Sequence, residues 1–162
     1  LDARLTGSRF VMGGRPGAAD FALYGQLTQL VGFDPTPRAI ALECAPRVVA
    51  WVDLVEDLSG LEPRAGEWID REAAATLLRP LLTEIGRVYI PFLLANADAL
   101  DRGAGQVACS IDGRPWTQHP FPYQRKCVHV LRAAFGALAP DDRRAATSLL
   151  DGTGCEPLTA PY

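Results

Sequence analysis

Histidine is nearly missing: a chain of 162 residues carries only His119 and His129. The histidines that a three-ligand catalytic metal centre would need are therefore lacking. The four cysteines, Cys44, Cys109, Cys127 and Cys155, form no CxxC pair, which excludes a zinc knuckle and a thioredoxin-type redox motif. Reduced thiols in a cytoplasmic setting are the default expectation. There is no GxSxG, and neither Gly13-Gly14 nor Gly152-Thr153-Gly154 leads into the Lys-Ser/Thr of a phosphate loop. No apolar run approaches the roughly eighteen residues of a membrane span. The most apolar stretch, 89–97, is short and contains Pro91. A net charge of −3 with scattered arginines offers no basic field, so neither nucleic acid nor membrane is expected as a partner.

What remains is a globular composition, 48% hydrophobic and 22% charged, long enough for one domain with a real core. Its clearest local signal is Gly13-Gly14-Arg15-Pro16-Gly17-Ala18-Ala19-Asp20, running into the apolar-periodic Phe21-Ala22-Leu23-Tyr24-Gly25-Gln26-Leu27. A carboxylate three residues past a small residue, ahead of an amphipathic run, marks a helix start whose acid reaches back to an unpaired backbone N–H. The glycines before it and Ala18-Ala19 within it predict tight packing. Next, Phe33-Asp34-Pro35-Thr36-Pro37 reads as a proline-defined turn. Ala45-Pro46-Arg47 then opens a second helix, with Val48, Trp51, Val52, Val55 and Leu58 on one stripe and Asp53, Glu56 and Asp57 off it.

Residues 10–31 resemble helix 6 of the glutathione S-transferase C-terminal domain, in which a Ser or Thr, two variable residues and an Asp follow a turn glycine and cap a buried central helix. Asp20 matches the acid and Gly13 or Gly14 the turn glycine; Gly17 departs, with glycine in place of the hydroxyl residue. Glycine caps only a few tenths of a kcal/mol less well than Ser or Thr. The helix from Pro46 resembles helix 7 of the same domain. The resemblance covers about 1–60 and is loose from 61 onward, where it is similar to C-terminal extensions of some bacterial members. It implies a mainly α fold: a single helical domain over 1–162, with a glutathione S-transferase C-terminal-type bundle and one small β-hairpin. Leu1, Leu5 and Gly7 read as the end of a helix, so the chain is expected to be a C-terminal piece. The thioredoxin-like N-terminal domain, with glutathione and the activating Ser, Tyr or Cys, would then lie outside it.

In the second half, Leu78, Leu81, Leu82, Ile85, Val88, Tyr89, Phe92 and Leu93 recur at helical steps within 67–100. Pro80 and Pro91 lie inside this run, and an interior proline costs roughly 3 kcal/mol. A break near Pro80 and a kink near Pro91 follow. Residues 106–117 predict a β-hairpin around Asp112-Gly113, with Pro115 on an edge strand. A helix over 123–138 is expected to bury Val128, Leu131, Phe135 and Leu138. A last helix starts at Pro140-Asp141-Asp142 and stops at Asp151-Gly152, before an irregular tail.

No catalytic residue and no metal ligand emerges. Asp20 and Gly17 are read as a structural helix cap, in preference to a catalytic carboxylate. Cys127 and His129, two apart on a helix, point about 200° apart and cannot pair; Cys127 reads as a buried, inert thiol. Arg114, Trp116, His119, Phe121, Tyr123, Gln124 and Arg125 form the densest aromatic and polar cluster. It either lines an apolar-ligand pocket or pins the hairpin to the helices, and the second reading is preferred. Substrate-pocket candidates are Tyr24, Trp116, His119 and Tyr123. By resemblance, the domain is the side that receives a small apolar electrophile, in a protein conjugating or reducing such compounds with glutathione as co-substrate. Alone it would be inactive and without a cofactor, and its exposed apolar face would make it a dimer or other homo-oligomer. The alternatives are a non-catalytic interaction scaffold and a carrier of small apolar ligands.

Overall fold

The computed structural model describes residues 1–160. The chain is mainly helical, with one two-stranded antiparallel sheet among the described residues. The described residues gather into two compact units, Leu1–Leu78 and a second from Arg79 onward.

The first unit opens with a 3₁₀ turn, Arg4–Thr6, and reaches α1, Ala18–Leu27, which widens into a π-helical turn, Thr28–Phe33. The prolines read as a turn instead start a helix, α2, Pro35–Cys44. Asp34 caps it by accepting the Thr36 N–H at 3.0 Å, and Pro35 and Pro37 fall in the first turn, where missing N–H groups cost nothing. Helix α3, Pro46–Glu56, buries Val48, Val49, Trp51, Val52 and Val55. Phe10, Val31, Val49, Trp51, Val52 and Val55 form the core, flanked by Leu23, Tyr24 and Leu27 of α1. Burial of α1 is one-sided: Phe21 remains 53% exposed. A 3₁₀ turn, Ala65–Glu67, and α4, Arg71–Leu77, complete the unit. Asp70 caps α4 through the Ala73 N–H at 2.7 Å.

The helical pattern of 67–100 breaks at Leu78, just before Arg79-Pro80, where α5, Arg79–Glu84, begins. Ahead of Pro91 the helix widens into a π-helical turn, Ile85–Tyr89, with the Ile90 N–H bonded to the Ile85 carbonyl five residues back. Helix α6, Ile90–Asp101, follows. The wide turn absorbs the bond that Pro91 cannot make. It also inserts one residue into the repeat, rotating the stripe so that Ile90 and Leu93 are buried while Val88 and Tyr89 face solvent.

Strands β1, Val107–Ile111, and β2, Arg114–Gln118, pair with Ile111 opposite Arg114. Both turn residues have positive φ, 52° at Asp112 and 74° at Gly113, as a type I′ turn requires. In this register Pro115, opposite Ser110, takes a non-hydrogen-bonded position, so its missing N–H removes no ladder bond. The fully buried Asn96 ties the following loop to α6: its amide donates to the Phe121 carbonyl at 2.9 Å and accepts the Phe121 N–H at 2.7 Å.

Helix α7, Pro122–Gly136, buries Val128 completely and half-buries Arg132 and Phe135 on the same side. Leu131, expected in that stripe, is 48% exposed. It borders a second apolar face with Tyr123 and Val130, and packing covers only the Val128 side. Helix α8, Pro140–Leu150, ends at Asp151-Gly152. The tail is ordered rather than irregular: it turns at Gly152 and Gly154, both with positive φ, and forms a 3₁₀ turn, Glu156–Thr159. The end of the expected tail, 161–162, lies outside the described residues.

The tail docks on the widened turn of the same unit. A Cβ added to Gly86 would lie 2.0 Å from the Thr153 carbonyl oxygen and 2.8 Å from Gly154 backbone. Cys155, 1% exposed, joins the core of Ile90, Leu93, Ala97 and Val128 and donates its Sγ–H to the Leu82 carbonyl at 3.3 Å. Replacing Gly86→Ala should therefore displace the tail and cost about 3 kcal/mol, at the upper end for overpacking a close contact. Chemical denaturation, with alkylation of Cys155 as a local readout, measures this; unchanged stability and a protected thiol would refute the packing.

Candidate functional site

The most constrained polar constellation in the first unit surrounds the start of α1. Asp20 is fully buried. Its Oδ2 accepts the Gly17 N–H at 2.9 Å and its Oδ1 the Val11 N–H at 2.8 Å, while the Asp20 N–H donates to the Gly17 carbonyl at 3.0 Å. The first bond is the acid half of a capping box. Gly17 has no side chain, so the reciprocal half is made by backbone alone. Val11 is held from both ends: its carbonyl accepts Arg4 Nε at 2.9 Å, with Arg4 itself 9% exposed.

A strap from farther along the chain seals this loop. The Gly14 N–H donates to the Glu67 carbonyl at 2.7 Å, and the Ile69 N–H to the Met12 carbonyl at 2.8 Å. Gly13, at φ 134°, permits the approach: a Cβ there would stand 2.2 Å from the Glu67 oxygen. Between these two bonds Trp68 lies against Gly17, its six-membered ring 3.2 Å from where a Cβ would be. The Arg15 guanidinium stacks on the indole at 4.6 Å, a cation–π contact. The ring thus occupies the place of the hydroxyl that Gly17 lacks. Sequence reading missed Trp68, Glu67 and Val11. The paired glycines signalled a close approach without naming its partner.

Of the pocket candidates, Tyr24 belongs to the first unit and Trp116, His119 and Tyr123 to the second. Tyr24, on α1, is half-buried against the first unit's core. Trp116, His119 and Tyr123 are all exposed in the second unit. The Trp116 indole N–H donates to Gln118 Oε1 at 3.2 Å, and the Tyr123 ring lies 6.4 Å from that of Phe121. Two depressions in that unit are lined by Arg143, Arg144 and Thr147 and by His129, Arg132 and Phe135. Cys127 is half-buried rather than buried, and His129 on the same helix is exposed. All four cysteines are free. Burial raises the Cys155 thiol pKa above its ordinary value, against a hydrogen bond with Thr153 that lowers it and the Glu156 charge, which adds to the rise. Among the described residues no group of three His, Cys, Asp or Glu side chains gathers to hold a metal, and no helix is long and apolar enough to cross a membrane.

A mainly helical unit, with a buried aspartate capping an internal helix, defines the class. A family model described as glutathione S-transferase, C-terminal domain, matches residues 1–54. That segment is similar to the C-terminal domain of glutathione S-transferases. No curated protein and no solved structure matches the chain.

The geometry makes two linked predictions for chemical denaturation followed by tryptophan emission. Removing the carboxylate in Asp20→Ala strips one buried and one part-buried backbone N–H of their acceptor and should cost about 3 kcal/mol. Restoring a hydroxyl in Gly17→Ser should fail to stabilise the protein, because the side chain must displace Trp68. In a Trp68→Ala background the same change should be neutral or gain a few tenths of a kcal/mol. A serine that stabilises the otherwise unchanged chain would overturn this account of Gly17.

Proposed function

We propose that this chain is the electrophile-side domain of a glutathione-dependent protein that conjugates or reduces small apolar electrophiles. Glutathione and the residue that activates it then belong to a separate thioredoxin-like domain. The observation that carries the reading is the buried Asp20 cap inside the matched segment, residues 1–54. It supports kinship at the level of a folding element, and the activity is our extension from it. The role assigned to Asp20 is structural: the carboxylate is fully buried and each of its oxygens accepts a backbone N–H. The test is binding. The isolated chain should show saturable tryptophan quenching by 1-chloro-2,4-dinitrobenzene, no calorimetric binding of glutathione and no conjugate formation. Saturable glutathione binding, or no saturable response to the electrophile, would refute the assignment.

Exposed apolar side chains support a second reading, as a docking module. Phe33 is 85% exposed, Ile40 57% and Leu42 52%, and Phe21 stands open on α1 at 53%. Side chains of this size in solvent favour burial against another surface. Kept apart from any partner domain, the chain should therefore form homo-oligomers in sedimentation velocity. A monomer throughout the micromolar range would count against this.

A further inference from the structure

The free edge of the hairpin in the second unit has had no role so far. Ile111 and Arg114 bracket the two-residue turn, so Trp116, opposite Cys109, and Gln118, opposite Val107, spend their backbone groups on β1. Pro115 and Thr117 alternate with them and turn theirs outward, away from β1. Neither has a backbone partner among the described residues, and both are exposed. Helix α6 packs along β1, where Val107, Cys109 and Ile111 are wholly or partly buried and Ala108 and Ser110 exposed. Trp116 lies on the same face as Cys109, yet the helix gives it little cover and it remains 48% exposed. Its one polar atom is already satisfied, because the indole N–H donates to Gln118 Oε1 at 3.2 Å. The ring can therefore be covered without burying an unpaired donor.

We propose that this edge pairs with the same edge of a second copy of the chain, β2 against β2, antiparallel about a twofold axis at Trp116. The occupant follows from the edge itself. It offers one donor, the Thr117 N–H, two residues from an acceptor, the Pro115 carbonyl. A twofold sets each donor against the other copy's acceptor and closes two hydrogen bonds. Pro115 supplies no second donor, which blunts the edge toward arbitrary strands. In this register Trp116 faces its own counterpart in a non-hydrogen-bonded pair, where side chains approach most closely. Arg114 faces Gln118 of the other copy, so no like charges meet. The strands run β1-β2-β2-β1, with both α6 helices on one face. Three strand spacings, about 14 Å, separate the two β1 strands, and helices pack at about 8–10 Å. The two helices therefore clear each other, and the paired indoles fill the space between them. A two-stranded ribbon, marginal alone, becomes a four-stranded layer, and the isologous contact closes at two copies. This surface lies outside the matched residues 1–54 and is independent of the exposed apolar side chains of the first unit.

Sedimentation velocity of the whole chain through the high micromolar range tests this. Ile40→Lys, on the exposed apolar face of the first unit, separates the two surfaces and should still leave a dimer. In that background Thr117→Pro removes the outward donor while sparing every bond to β1, as Pro115 already does, and should weaken the dimer about tenfold. Trp116→Lys sets two ammonium groups against each other at the axis and should leave only monomer. A chain made monomeric by Ile40→Lys alone would overturn the proposal and credit the first unit's side chains instead. A chain monomeric without any substitution, or a dimer untouched by Thr117→Pro or by Trp116→Lys, would overturn it as well. Far-UV circular dichroism checks that the variants remain folded.

Discussion

The first unit depends on one enclosed carboxylate. Asp20, itself fully buried, takes two backbone N–H groups, a part-buried one at the start of its own helix and a buried one nine residues earlier at Val11. The first bond is local and defines where α1 begins. The second is tertiary and fixes how the preceding chain lies against it. A buried negative charge is costly unless hydrogen bonds and a positive charge offset it. The mostly buried Arg4 supplies a cation on the same residue, through the Val11 carbonyl. A single residue thus carries an anion on its amide and a cation on its carbonyl, with the backbone between them.

That arrangement gives the glycine at Gly17 a physical reason. A helix cap of the usual kind uses a hydroxyl to finish the first turn. Here the volume is taken by the Trp68 ring, and Arg15 covers the other part of that indole. A polar finish has been exchanged for an apolar one. The same aspartate retains its role because its bonds do not involve the missing side chain.

Local chemistry was readable from the residues, and distant packing was not. The helix start at Asp20, the I′ turn at Asp112-Gly113, the break before Pro80 and the ends of α8 rest on neighbours within a few positions. The helix from Pro35 was hidden because two prolines near each other look like a turn until an N-cap is recognised in Asp34. The stripe through Val88 and Tyr89 was displaced by a widened turn, whose extra residue no regular period can show. Leu131 sits at helical spacing from Val128, yet nothing covers its side of α7. Of the candidate site, the cap residues were legible because they are close in sequence. Trp68 was not, because about fifty residues separate it from Gly17. Tyr24, Trp116, His119 and Tyr123 were grouped by chemistry, and their placement in two different units is a tertiary fact.

The strap at Glu67–Ile69 has a further consequence for how this protein is divided. The stretch that resembles a known family ends at residue 54, inside α3, while the helix start it contains is sealed by backbone bonds with Glu67 and Ile69. The matched segment and the folding unit therefore have different edges. A gene fragment cut at the end of the recognisable stretch would expose the Met12 carbonyl and the Gly14 amide together, a short edge open to another strand. The natural unit for expression, recombination or transplantation of this domain thus runs to Leu78, where the chain changes unit ahead of Pro80.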